Sequence, residues 1–223
     1  MIDIHQVFEN ENVAKSVSLW LDADGDASDL AGAAEYAVNA HIGMLSIAPQ
    51  NVPVVWPWVE KFNVKIIPRF FVENVLIDTM SGLGMSINSA FKQGADGAQV
   101  IVKLNDLEKF TDSLAPVRDD LFFKKQLSVG FDVFEIWPLD WENVFAALNK
   151  LRATSLLLVL TTDVGDKSDF MGRIYGALEN WDAPDAELHI MLGNSFYRAE
   201  QVYRLVAKMK PELLDKLRFL VNY

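Results

Sequence analysis

Short apolar runs recur along the chain, and each closes on polar residues. Residues 17–21 end at Asp22, 99–102 at Lys103, 156–160 at Thr161, and 188–192 at Gly193 and Asn194. Eight such runs can be marked, and helical spacing follows seven of them. Near-continuous apolar runs, in place of strict alternation, suit parallel strands covered on both faces. The first strand is predicted over 17–21, and Asp26 or Ser28 caps a helix over 29–41. A second strand, 42–47, stops at Pro49. Pro53 then opens a helix whose apolar positions are Val54, Val55, Trp58, Val59 and Phe62. The third strand covers 64–67, with room to run on to Val72, and a helix follows over 81–93. The fourth strand, 99–104, precedes a helical stretch from Asp106 to Val117 that Pro116 ends or kinks. The fifth strand, 126–134, is interrupted by Gly130. Helix 141–151, strand 156–160, helix 168–180, strand 188–192, helix 198–209, a short turn from Pro211 and strand 219–221 complete the series.

This alternation predicts an α/β fold, a compact (β/α)8 TIM barrel in one domain spanning residues 1–223. An open doubly wound sheet is the competing architecture. Eight units favour closure, and no glycine-rich phosphate turn follows the first strand. No helical pattern follows the eighth run, which leaves an apolar barrel face to cover. Residues 1–15 act as an N-terminal cap over it, or a second copy of the chain does, and a homo-oligomer is expected on that ground.

Composition narrows the partners. The chain has 223 residues, 51% hydrophobic, which is enough for one full core. The formal net charge of −11, without a basic stripe, argues against nucleic acid and anionic membrane surfaces. There is no cysteine, so disulfides and thiolate chemistry are excluded. With only His5, His41 and His189, a multi-histidine metal centre is not expected, and neither metal nor cofactor is predicted. Residues 1–12 are polar and carry no apolar signal core, and no apolar run approaches about 20 residues. A soluble, cytoplasmic protein is expected by elimination.

A barrel of this class places function at the carboxyl ends of its strands. The polar residues there include Asp22 after the first strand, Arg69 after the third, Lys103 after the fourth and Asp132 at the fifth. Thr161 and Thr162 follow the sixth, and Asn194 and Ser195 the seventh. The set suits a small sugar-like ligand; it equally suits an ordinary polar rim. Lys103 shares one strand face with Gln99 and Ile101. If that face is inward, its amine enters the barrel mouth and can attack a carbonyl to form a Schiff base. If not, its stem packs on the rim. Arg69 can clamp a carboxylate or phosphate, or pair with Glu73 or another rim acid. His189, among apolar neighbours, reads as a core histidine. The alternating aspartates of 22–28 suggest a calcium loop, but the glycine is misplaced and Ala33 stands where a bidentate glutamate is needed, so a helix-capping loop is the better reading.

Three stretches resemble deoxyribose-phosphate aldolases. One is Ser46-Ile47-Ala48-Pro49 with Val52-Pro53 and Asn63-Val64-Lys65-Ile66. The second is Phe91-Lys92-Gln93-Gly94-Ala95-Asp96-Gly97, and the third is Leu160-Thr161-Thr162. The resemblance covers about residues 17–195 and implies a class I aldolase-type barrel. Asp132 and Thr162 match positions of that family's pattern. The departures lie where the chemistry lies. The family's Schiff-base lysine falls at Val159, its fourth-strand aspartate at Gln99, its seventh-strand lysine near His189 or Ile190, and its phosphate glycines at Gly193 and Asn194. A valine forms no imine. Separately, Val100-Ile101-Val102-Lys103 is similar to the fourth-strand lysine setting of transaldolases.

These readings favour an aldolase-like barrel acting on the carbonyl or C–C bond of a small, sugar-like or sugar-phosphate-like substrate. Lys103 is the nucleophile and Asp132 the acid/base partner. Asp22, Arg69, Thr161, Thr162, Asn194 and Ser195 bind substrate. One alternative is a catalytically inactive barrel that binds a metabolite or protein partner. Another is a sugar isomerase or epimerase using two carboxylates, such as Asp22 and Asp132.

Overall fold

Every strand buries both of its faces, which is the physical origin of the continuous apolar runs. The computed structural model describes residues 10–160, 169–195 and 197–223. The strands are β1 (Val17–Trp20), β2 (Met44–Ile47), β3 (Lys65–Val72), β4 (Gly97–Val102), β5 (Gln126–Asp132), β6 (Ser155–Val159), β7 (Glu187–Gly193) and β8 (Leu217–Asn222). Each pairs in parallel with the next, and β8 returns to β1, so the sheet is a closed barrel. The fold is the expected (β/α)8 barrel.

Described helices lie outside it: α1 (Glu11–Lys15), α2 (Ala27–Asn39), α3 (Val52–Val59), α4 (Ile77–Lys92), α5 (Leu107–Leu114), α6 (Arg118–Leu121), α7 (Trp141–Leu151), α8 (Phe170–Glu179) and α9 (Tyr197–Met209). Outward strand residues such as Leu45, Val100, Val129, Leu158 and Ile190 merge with the inner helix faces into one large core. The inward residues Trp20, Met44, Ile67, Ile101, Leu157, Val159 and Leu220, with Met191 against them, form a second core inside the barrel. The interior is thus packed with side chains, as an eight-stranded barrel of this kind requires.

Element ends differ from the expectations for local reasons. The carboxylate of Asp26 accepts from the amides of Ser28 (2.8 Å) and Asp29 (2.9 Å), so the aspartate-rich loop serves as the N-cap of α2. β2 begins at Met44 because His41 turns into the left-handed region (φ 56°) and the Ile42 amide returns to Ala37 O. β4 stops at Val102, where the Asp106 amide closes a turn on Lys103 O at 3.0 Å. β5 stops at Asp132, whose Oδ1 takes the Phe134 amide at 2.9 Å. The helix expected from Ser81 starts four residues earlier, at Ile77, and runs through the weak helix formers Gly82 and Gly84. α5 ends at Leu114, ahead of Pro116.

No helix follows β8. Its outward residues Leu217, Phe219 and Val221 are nonetheless fully buried within one copy of the chain. Val13 and Ala14 of α1 belong to the same core, and α1 packs against α9. This face therefore needs no second subunit to cover it.

Candidate functional site

The carboxyl-terminal mouth of the barrel is built in rows set by strand register. Arg69, Gln99, Ser128 and Ser155 are neighbours on β3 to β6. One step up, Phe71, Ile101, Gly130 and Leu157 form the next row. Carrying the β4–β5 register two residues further sets Lys103 across from Asp132, and Asp132 is itself paired with Val159. Neighbouring strands lie about 4.8 Å apart. Lys103 keeps extended backbone (φ −73°, ψ 141°), so the alternation that turns Gln99 and Ile101 inward carries to it as well. It is exposed at the rim. Asp132 is half-buried. Glu135 ties the two loops together, accepting from the Leu104 amide at 3.4 Å.

Arg69 is held differently from either expected role. It is buried at 5% exposure, with its guanidinium carbon 3.8 Å from the centre of the Trp20 ring. Its Nη1 donates to Ser46 O and its Nη2 to Leu21 O, both at 2.5 Å. No ion pair to Glu73 exists among the described residues. Burial lowers the Arg69 pKa to about 10, against the opposing pull of Asp22 nearby. The guanidinium bonds β1 and β2 to β3 and, with Trp20, closes the barrel on that side. Beneath it Ser46 Oγ donates to Gln99 Oε1 at 2.5 Å. Gln99 Nε2 and Ser128 Oγ, buried neighbours in register, have no hydrogen-bond partner among the described residues.

The remaining expected residues are spread around the rim. Asp22 is exposed after β1, across the eight-strand ring from Asp132 on β5. Asn194 is exposed, and Ser195 turns its amide back to Leu192 O at 3.0 Å. Thr161 and Thr162 lie outside the described residues. Two aromatic residues at the mouth gave no sequence signal as site residues, and Asn222 joins them as the polar residue closing the eighth run. Trp20 and Phe71 read as strand hydrophobics, yet Phe71 is 61% exposed on the inward side of β3. Asn222 faces Trp20 in register, and its buried Oδ1 has no partner among the described residues. Period-two counting on β1 and β3 would have placed the two aromatics inward. Among the described residues no three His, Asp or Glu side chains converge as metal ligands, and no helix is long and apolar enough to cross a membrane.

At the opposite, amino-terminal end, His189 is buried as a core histidine but not as an apolar one. Its Nε2 lies 2.8 Å from Glu187 Oε2, while Nδ1 has no partner among the described residues. Burial lowers its pKa below the ordinary 6.5; Glu187 pulls the other way, and the charges of Arg218 and Lys65 add to the lowering. The folded state therefore resists protonating His189 where the unfolded chain accepts the proton. Above about pH 6.5 both states hold it neutral and it has no effect on stability. As pH falls below 6.5 the unfolded state gains the proton first and stability drops. Glu187 extends the loss to lower pH. Burial raises its pKa, but the His189 hydrogen bond with the His189, Arg218 and Lys65 charges outweighs this and leaves it lowered. Replacing His189 by glutamine is expected to flatten the urea midpoint between pH 6.5 and 5. An unchanged slope would assign the acid sensitivity elsewhere.

No family model and no curated protein sequence matches the chain. Solved structures do match it in fold. A protein assigned as a deoxyribose-phosphate aldolase from Toxoplasma gondii ME49 superposes with a TM-score of 0.73 at 15% identity, over 98% of this chain and 92% of that one. The tetrameric deoxyribose phosphate aldolase of Aeropyrum pernix gives 0.68 at 10% identity, over 84% and 82%. A protein assigned as a phosphonomutase from Burkholderia cenocepacia J2315 gives 0.57 at 11% identity, over 95% and 87%. Likeness at these identities is likeness of fold, and one barrel hosts many reactions.

Proposed function

We propose, from the premise that this chain folds like the deoxyribose-phosphate aldolases, that its mouth carries carbonyl chemistry on a small hydroxylated, sugar-like or sugar-phosphate-like substrate. The reading rests on the paired Asp132 and Val159, and on Lys103, which the β4–β5 register places beside Asp132 when extended two residues past its last pair, Ile101 and Gly130. The resemblance assigns the reactive lysine to the position of Val159, which is buried. Lys103 supplies an amine at the same level, with the Asp132 carboxylate between them. Lys103 Nζ attacks the substrate carbonyl carbon, and the carbonyl oxygen leaves as water, giving an iminium ion. Asp132 accepts the proton of a substrate hydroxyl while the adjacent C–C bond breaks, and the electron pair of that bond is taken up by the iminium as an enamine. Asp22, Asn194 and Ser195 around the rim, with Thr161 and Thr162, which follow the sixth strand in sequence, contact substrate hydroxyls or phosphate. Arg69 serves by fixing the wall of the mouth.

Borohydride reduction in the presence of glycolaldehyde or glyceraldehyde, read by peptide mass spectrometry, tests this. A single adduct at Lys103, absent in Lys103→Met and weakened in Asp132→Asn, is expected. Adducts spread evenly over surface lysines would end the proposal. One feature favours a second reading, a barrel that binds without turnover. Gln99 and Val159, at the positions of two reacting groups in the resembling family, are 0% and 2% exposed and offer neither amine nor carboxylate. Saturable binding of such a compound without any adduct would select it.

A further inference from the structure

The amino-terminal floor of the barrel gathers cations in a strongly acidic protein. Lys15 ends α1, Lys65 begins β3 and Arg218 lies on β8; together they line a cavity of about 240 Å³. Ser18 and Gln126 line it with hydroxyl and amide groups. Glu187 is the one carboxylate among the described lining residues, and it is already engaged by His189. Asp96, on the loop before β4, is turned to the Ile66 amide at 2.9 Å. Three fixed positive charges therefore face one negative charge, while the chain as a whole carries −11.

The donors are available. Lys15 and Lys65 make no ion pair or hydrogen bond through their amines among the described residues. Arg218 spends Nη1 on Leu217 O (2.8 Å) and Asp215 O (3.1 Å), which leaves Nε and Nη2 to offer. Burial is the main cause of the depressed titration of His189, and the charges of Arg218 and Lys65 add to it, so both cations are felt at this end of the barrel. A guanidinium edge with two ammonium groups is the donor set that suits a tetrahedral oxyanion. At roughly 30 Å³ per water, the cavity holds several waters or one such ion.

We propose that this floor is a binding site for a phosphate group, on the face of the barrel opposite the mouth. The phosphate comes either as free orthophosphate or as the end of a phosphorylated metabolite whose remainder projects into solvent. The site is independent of Lys103 and of the chemistry assigned to it.

The test is calorimetric titration of the full chain with orthophosphate and with glycerol 2-phosphate, chloride holding ionic strength constant. One saturable site is expected. Lys65→Gln and Lys15→Gln, both at exposed positions, each weaken it about tenfold, the loss of one charge-assisted hydrogen bond. Lys109→Gln on α5 and Lys103→Gln at the mouth leave it unchanged. Binding of both probes identifies a phosphate ester as an acceptable ligand, and binding of orthophosphate alone identifies the free ion. Absence of saturable binding, or an affinity equal in wild type and the Lys15→Gln/Lys65→Gln double variant, overturns the proposal. So does binding lost on Lys103→Gln, which would move the phosphate to the mouth.

Discussion

Arg69→Ala is expected to lower the stability of the barrel by about 3–4 kcal/mol, read as a shift of the urea midpoint at constant slope. The side chain fills the space above Ser46 and Gln99 and gives Trp20 a flat partner. Truncation leaves Leu21 O without its donor and opens a cavity inside a packed interior. The charge itself is a weaker asset. Burial pushes the guanidinium down to about 10, so part of what its hydrogen bonds contribute is offset by desolvation. Arg69→Met keeps most of the volume and removes that penalty, so it is expected to cost only about 1–2 kcal/mol. Equal losses for the two variants would show that the hydrogen bonds to Ser46 O and Leu21 O dominate. Losses under about 0.5 kcal/mol for both would show that the side chain is not part of the interior at all.

Gly97→Ala is expected to cost about 3 kcal/mol by the same measurement. A Cβ there would lie 2.6 Å from Gln126 O and 2.7 Å from Gln126 Cβ, against the strand with which Gly97 is paired. The nearest atom is backbone, so no side-chain rotation relieves the clash, and β4 and β5 must part. Their register sets Lys103 beside Asp132, so any adduct at Lys103 should fall with the stability. Gly84→Ala is the internal comparison. Nothing lies within 4 Å of its added Cβ, and it sits inside α4, so a gain of about 0.5–1 kcal/mol is expected. A loss at Gly84 would reveal a neighbour that this geometry does not contain.

The barrel was readable because both faces of each strand are buried. A run such as Leu156 to Val159 can be continuous only in a sheet covered on two sides. That Lys103 shares a strand face with Gln99 and Ile101 was readable from alternation, but which way that face turns was not; the burial of Gln99 and Ile101 is known only from the fold. Alternation says nothing, however, about contacts between strands. Arg69 meets Leu21 and Ser46 only because β1, β2 and β3 align as they do, and a clamp on a substrate anion looked equally reasonable until that alignment was known. The floor cations were invisible for the same reason. Lys15, Lys65 and Arg218 are distant in sequence and ordinary one at a time. The absent lysine at Val159 was legible, but what stands beside Val159 follows from register.

The join between the two ends of the barrel has a kinetic consequence. Val17 pairs with Phe219 and Trp20 with Asn222, so the last strand closes on the first across nearly the whole chain. Neighbouring strands elsewhere are consecutive in the chain, and such shorter closures cost less chain entropy. The β1–β8 seam must order the longest loop in the molecule before any hydrogen bond rewards it, so it forms after the other pairings. Both ends of the barrel proposed to bind ligands are bordered by this seam, with Trp20 and Asn222 at the mouth and Ser18 and Arg218 toward the floor. Neither pocket can take its final shape before the ring has shut.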